Sequence, residues 1–266
     1  MKNIMPLGGL SLYYCCGICD MGTVRDNNED AFLLGKTVVS EPGRFECTLD
    51  APFFAAVADG VAGKLSGEVA SRLALKSLAQ TRITPELDLN ARLLAVHKKL
   101  RSYGKSHKNA ENMQTTLCLL TITDENGLMI ANVGDSRMYS YINGEVRQLT
   151  RDQSLVQLLY EAGRISHEER HGHAQKNIIL PAMGNTVTLP KPEISLKPEG
   201  IPLGGTIIIC SDGLSDYLTA AEIEEQLAEP MKLLKRLKKL VESAKAKGSP
   251  DNITVAAVSR VADERG

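Results

Sequence analysis

Hydrophobic and polar positions along this chain follow two alternating periods. Phe53 to Ala58 is an unbroken apolar run that stops at Asp59-Gly60, so it predicts a buried strand ending in an acidic turn. From Glu68 the period lengthens: Val69, Leu73 and Leu78 share one helical face, and Leu89, Leu93, Val96 and Leu100 repeat the pattern, predicting two successive helices. Thr115 to Thr123, Leu128 to Val133, Arg137 to Ile142 and Glu145 to Leu149 then read as strands. Asn126-Gly127, Gly134-Asp135-Ser136 and Asn143-Gly144 separate them, which predicts an antiparallel meander.

Between Arg151 and Gly184 the chain turns polar. A short helix is expected at Leu155, Leu158 and Leu159, closed by Gly163, with a capping box at Ser166 and Glu169, so this stretch reads as a small lobe. Thr206 to Cys210 is another buried strand, ending in Ser211-Asp212-Gly213. Thr219 and Glu222 open helices that run on through Leu233, Leu237 and Val241, and Ile253 to Val258 closes the chain as a strand. Strands and helices come in blocks without βαβ alternation, which predicts an α+β sandwich rather than a parallel sheet.

Composition narrows the class. With 43% hydrophobic and 24% charged residues in 266, the chain is an ordinary globular one, and residues 1–266 are expected to form one domain. Its 31 basic and 32 acidic residues balance to a net charge of -1, which speaks against nucleic acid or an anionic membrane as partner. Six cysteines, four of them in apolar strand-like runs, are expected to be reduced. Cys16 and Cys19 form a lone C-x-x-C without a second ligand pair, so no zinc site is expected. Lys2 followed by Pro6, Gly8 and Gly9 makes a poor signal peptide, and a cytoplasmic protein is expected.

Three aspartates carry the chemistry: Asp59 and Asp212 after buried strands, and Asp251 just before the last one. Oxygen-only ligands suit Mg or Mn, whereas zinc or copper would call for His or Cys. Gly60, lacking a side chain, leaves its carbonyl open to a hydrated ion.

The ordered series Gly22-Thr-Val-Arg-Asp-Asn-Asn-Glu-Asp-Ala-Phe32, Val57-Ala-Asp-Gly60, Gly67-Glu-Val-Ala-Ser71, Gly134-Asp-Ser-Arg137, Leu149-Thr-Arg-Asp152, Cys210-Ser-Asp-Gly213 and Asp251-Asn252 resembles the type 2C, metal-dependent (PPM) serine/threonine protein phosphatases. The resemblance spans Gly22 to Val258, and Leu149 to Ser166 is similar to the flap of the bacterial branch. It implies an antiparallel β-sandwich between helical layers (αββα) with a flap at about 151–184. It also implies two Mn or Mg ions: Asp59 bridges both, Gly60 lends a carbonyl to one, and Asp212 and Asp251 hold the other. Glu29 and Asp30 match the acidic pair that orients water, and Arg25 matches the arginine that binds substrate phosphate. Asp135 matches the residue that forms a third, weaker metal site with Asp212. The implied reaction is hydrolysis of phosphoserine and phosphothreonine in phosphoproteins by a hydroxide shared between the two cations, opposite a serine/threonine kinase, by a monomer.

Two positions depart from the pattern. Val61 stands where some relatives have a proton-donating histidine, and Pro181 where bacterial relatives have an arginine. His171 and His173, and the basic helix with Lys232, Lys235, Arg236, Lys238 and Lys239, read as solvated surface. The alternative to an enzyme is a catalytically weak phosphoprotein-binding regulator of the same fold. Because every matched acidic position is filled, the enzyme is the expectation taken forward.

Overall fold

A strand apolar on both sides needs cover on both faces, and the computed structural model supplies it. It describes residues 11–61, 66–124, 127–166, 169–176 and 178–263; the N-terminal stretch at Lys2 to Gly9, Asn126 and the His171 side chain lie outside the described residues.

In chain order the elements are β1 (Leu12–Asp20), β2 (Asp30–Leu34), β3 (Thr37–Val39), β4 (Gly43–Asp50), β5 (Phe53–Asp59), α1 (Gly67–Ala79), α2 (Leu89–Ser106), β6 (Leu117–Ile122), β7 (Leu128–Val133), β8 (Arg137–Ile142) and β9 (Glu145–Gln148). There follow α3 (Leu155–Glu161), α4 (Glu169–Gly172), β10 (Glu193–Lys197), β11 (Thr206–Cys210), α5 (Asp212–Ser215), α6 (Ala220–Leu227), α7 (Leu233–Ala246) and β12 (Ile253–Val261). Two six-stranded antiparallel sheets form, ordered β4-β1-β12-β11-β8-β9 and β10-β7-β6-β5-β2-β3.

Strand alternation splits the buried residues into three layers. Phe53, Ala55 and Val57 of β5 face the other sheet, with Tyr13, Met138, Ile207, Ile209 and Val258 across the gap. Phe54, Ala56 and Ala58 point the opposite way, onto Ala70, Ala74 and Leu78 of α1 and Leu93 and Leu100 of α2. On the far side, Ile208, Cys210, Val255 and Ala257 pack under Ile223 of α6 and Leu237, Leu240 and Val241 of α7. The α+β sandwich with helices outside both sheets is thus the observed architecture. No helix among the described residues is long and apolar enough to cross a membrane.

Four sequence expectations change, the fourth at Arg236 below. The four central strands are not one meander: β6 and β7 pair in one sheet and β8 and β9 in the other, and residues 134–136 carry the chain across. Local alternation looks the same for a hairpin and for a crossing between sheets. On α1, the fully buried face is Ala70, Ala74, Leu75 and Leu78, with Val69 and Leu73 only partly covered. In the lobe, Val156 is the buried residue of α3, whereas Leu155 is half-buried and Leu158 is 44% exposed.

The expected caps are present. Ser154 accepts from the Gln157 N–H, Ser166 and Glu169 exchange hydrogen bonds, and Thr219 with Glu222 closes a capping box. All six cysteines are free. Cys16 and Cys19 lie three apart on one strand, so they face opposite layers and cannot clasp one ion. Arg236 is not solvated surface: its guanidinium donates to the carbonyl of Leu227, the last residue of α6, and to that of Met231 in the loop after it.

Candidate active site

Antiparallel neighbours place one strand's end beside the next strand's start, and this brings the acidic residues together. Asp59, at the end of β5, lies directly opposite Asp30, at the start of β2. Asp212 follows the end of β11 and Asp251 precedes β12, which pairs with it antiparallel. Asp135 sits in the crossing between β7 and β8 at the same end of the sandwich. Every acidic residue singled out above is therefore at one rim of the two sheets.

The loop that carries Arg25 and Glu29 is sewn to this rim by Asn252. Its side chain donates to the carbonyls of Met21 and Asn27, each at 2.9 Å, and accepts the Glu29 N–H at 2.9 Å. A buried amide with three of its hydrogen bonds made is a strong positional constraint. Gly22 is required in the same loop: its φ is +76°, and an added Cβ would lie 2.1 Å from the Asp251 carbonyl oxygen. At Gly60 a Cβ would meet the Gly67 backbone at 2.5 Å, so glycine here also lets β5 close against the start of α1. The Gly60 N–H donates to the Glu29 carbonyl at 3.0 Å.

Below Asp59, Thr116 bonds to Ser136 at 2.8 Å and donates to or accepts from the Asp59 backbone through both its hydroxyl and its N–H. The Ser211 hydroxyl donates to Asp30 at 2.8 Å and receives the Thr254 N–H. The sequence assigned no chemical role to Asn252, Thr116 or Ser211. Ser211 and Asn252 stand inside the quoted motifs beside Asp212 and Asp251, whereas the only sequence signal of Thr116 is that it is a polar residue at the edge of an apolar strand.

The electrostatics are those of a carboxylate cluster short of positive charge. Burial, then the other aspartates, raises Asp30 to about 7 and Asp212 to about 6. Burial together with Asp30, Asp212 and Asp251 holds Asp59 well above the usual range, and burial with Asp212 and Asp152 does the same to Asp135. Glu29 is raised by burial and by Glu68. One oxygen each of Asp135 and Asp212 is buried without a hydrogen-bond partner. Lys176 relieves a neighbour, donating to Asp216 at 3.0 Å.

Repelling carboxylates with orphaned oxygens fit hard divalent cations. Among the described residues no three acidic, histidine or cysteine groups already surround one point. Asp251 is instead paired with Arg25, whose guanidinium forks onto both carboxylate oxygens at 2.9 and 2.8 Å. Val61 offers no proton-donating group. His173 accepts the Gln175 N–H through Nδ1, and Pro181 brings no basic group, whereas Lys176 and Arg170 of the lobe line a small pocket with Asp135 and Asp216.

The lobe is tied down beside the site. Arg137 is buried and grips Asp152 at 2.9 and 2.6 Å while donating to the Ser215 carbonyl. Gly184, at the lobe's far end, donates to the buried His97 on α2 at 3.1 Å.

Comparison with known proteins agrees with this construction. The family model described as Protein phosphatase 2C matches residues 14–253. The serine/threonine phosphatase Stp of Listeria innocua is 34% identical over 256 residues, covering 93% of this chain and 96% of that protein. The crystal structure of the Mycobacterium tuberculosis serine/threonine phosphatase PstP/Ppp superposes with a TM-score of 0.78 at 32% identity, over 95% of this chain and all (100%) of that one. The PstP catalytic domain in complex with two manganese ions gives a TM-score of 0.76 at 30% identity, over 95% of this chain and 100% of that one. Matched in sequence over nearly its whole length and in the layering of its sheets and helices, the chain belongs to the protein phosphatase 2C family.

Proposed function

We propose that this protein hydrolyses phosphoserine and phosphothreonine in phosphoproteins, using two divalent cations, Mn or Mg, held by Asp59, Gly60, Asp212 and Asp251. The observation that carries this is the rim of mutually repelling carboxylates with Arg25 at its edge. The cations supply Lewis-acid charge for the phosphoryl oxygens and bring water into its nucleophilic range near neutral pH. The remaining work falls to the chain. Asp30, fixed by the Ser211 hydroxyl, and Glu29, fixed through its backbone by Asn252, orient water at the cluster. Arg25 already forks onto two oxygens of Asp251, and the same planar fork matches two oxygens of a phosphoryl group. Asp135, with its orphaned oxygen, adds a third and weaker cation site with Asp212. We read residues 1–266 as one such domain with its flap at about 151–184, monomeric and cytoplasmic, acting opposite a serine/threonine kinase.

The test is hydrolysis of phosphoserine, phosphothreonine and phosphotyrosine peptides, with a nucleic acid substrate in parallel, in the presence of Mn. Preference for the first two supports the proposal; cleavage of nucleic acid alone would reject it. Arg25→Ala is expected to raise KM for a phosphopeptide about tenfold, since two charge-assisted hydrogen bonds are lost. Mn affinity should not fall, because Asp251 is freed. An unchanged KM would leave Arg25 as a structural partner of Asp251.

The lobe separates chemistry from recognition. Val156→Ser places a hydroxyl where α3 is buried and is expected to loosen the lobe by about 1 to 3 kcal/mol, whereas Leu158→Ser, at an exposed site, should be nearly neutral. In Val156→Ser, hydrolysis of a small aryl phosphate should survive while hydrolysis of a phosphoprotein falls by a larger factor, because remote contacts place the phosphorus. Equal loss of both would make the lobe part of the cation site.

A further inference from the structure

Two thiols far from any assigned role face each other across the first sheet. β4 is its edge strand, and Cys47 on β4 stands directly opposite Cys15 on β1. Residues opposite on antiparallel strands have Cα atoms about 4.5 to 5.5 Å apart, within the roughly 4.4 to 6.8 Å that a disulfide spans. Both side chains point between the sheets: Cys15 belongs to the inner core, and Cys47 packs against it. Cys47 is only half-buried and, with Phe45, Leu49, Phe53 and Lys36, lines an open cleft of about 1110 Å³. A small oxidant can therefore reach its sulfur, while Cys15 waits behind it.

We propose that Cys15 and Cys47 form a dithiol oxidation site, at which a hydroperoxide oxidises Cys47 and the product closes a disulfide to Cys15 that staples the edge strand β4 to β1. The Cys47 thiolate attacks the peroxide, whose O–O bond breaks; with one proton this yields Cys47 sulfenic acid and the corresponding alcohol or water. The Cys15 sulfur then attacks the sulfenic sulfur, an S–S bond forms, and water leaves with the sulfenic oxygen and the Cys15 proton. Both thiols are oxidised by two electrons in total, and one hydroperoxide is reduced.

The local chemistry assigns the order of attack. A hydrogen bond from the Cys15 thiol lowers the Cys47 pKa against its partial burial, which favours the thiolate. The same hydrogen bond, then burial, pushes Cys15 up. The Tyr13 carbonyl, at 3.8 Å from Cys15 Sγ, is a second acceptor for that proton. Burial raises Cys16, Cys19 and Cys210 to about 12 and Cys118 well above its ordinary value, and each of the four is 1% exposed or less. They are expected to stay reduced.

The site is independent of the phosphatase reading. The reduced protein is treated with a few equivalents of hydrogen peroxide, its free thiols are blocked with N-ethylmaleimide, and fragment-level mass spectrometry locates the bonds. The expected product is a Cys15–Cys47 bridge, two hydrogens lighter than the thiols and reversed by dithiothreitol. Cys15→Ala should leave Cys47 as a sulfenic acid captured by dimedone, and Cys47→Ser should leave Cys15 a thiol. Cys47→Ser lies on a partly exposed edge strand, and the wild-type mapping needs no variant, so misfolding does not shield the proposal. It is overturned if wild-type Cys47 becomes sulfinic acid with Cys15 still a thiol, if both remain thiols, or if the bridging partners are other cysteines.

Discussion

Asp59→Asn is expected to lower turnover at least a thousandfold, a loss of roughly 4 kcal/mol of barrier stabilisation, while leaving the circular dichroism spectrum unchanged. Asp59 lies at the centre of the acidic rim, opposite Asp30 in register and within electrostatic reach of Asp135, Asp212 and Asp251. Its backbone is held from below by Thr116 and Thr115, neither of which needs the carboxylate. Asparagine keeps the shape and removes the charge that is proposed to bridge two cations. A second readout separates this role from a structural one. In chelated protein the same substitution removes like-charge repulsion, so its stability should equal or exceed that of the wild type. A variant that keeps a tenth of the activity would assign the bridge to another residue. A variant that unfolds without metal would mean that the Asp59 carboxylate makes structural contacts.

Removing metal is the second large effect. Dialysis against a strong chelator should abolish hydrolysis of phosphopeptides, and Mn or Mg should restore it; full activity in chelated protein would sink the mechanism. Stability offers a separate measurement. The folded, metal-free chain holds Asp30 near 7 and Asp212 near 6, above the usual carboxylate value. A carboxyl raised on folding binds its proton more tightly in the native state than in the unfolded one. Its contribution is therefore complete below about pH 4 and is lost as pH climbs through the folded values. The chelated protein should thus melt roughly 5 to 10 °C lower at pH 8 than at pH 5. Mn added at pH 8 should close most of that gap, since an ion bound by the native state alone stabilises it. A melting temperature independent of pH between 5 and 8 in the chelated protein would show that the cluster is not under charge strain.

The two effects share a cause. The carboxylates that make the rim costly in the absence of cations are those proposed to hold them, so activity and metal-free stability should move in opposite directions on neutralising Asp59. Such opposition is expected where a site is built for charge that the chain does not itself supply.

Much of this was legible in the residues alone. Phe53 to Ala58 and Thr206 to Cys210 are continuous apolar runs because their strands are covered on both faces, and that burial is written in composition at every position. The helices announced themselves through spacing, as at Leu89, Leu93, Val96 and Leu100. Asp59, Asp212 and Asp251 stood out because an acidic residue beside a buried strand breaks the apolar pattern, and the motif series from Gly22 to Asn252 carried the family.

What the residues alone could not decide depends on contacts between distant segments. Strands β2 and β3 are only five and three residues long, and β4, exposed on one side, carries polar residues at every second position, so none of them forms a long continuous apolar run. β6–β7 and β8–β9 fall in different sheets, and the chain crosses between them at Gly134, whose φ of +104° and close approach to Thr116 neither hairpin's own pattern shows. Arg25 finds Asp251 across 226 positions, and Asn252 binds a loop more than two hundred residues away. Cys15 and Cys47 meet only because β1 and β4 pair in that register. Burial and period are properties of a segment, so sequence determined the elements and the acidic strand ends. Convergence of those ends, the partners that hold them and the shifts in their protonation arise from chain closure, and only the tertiary structure decided them.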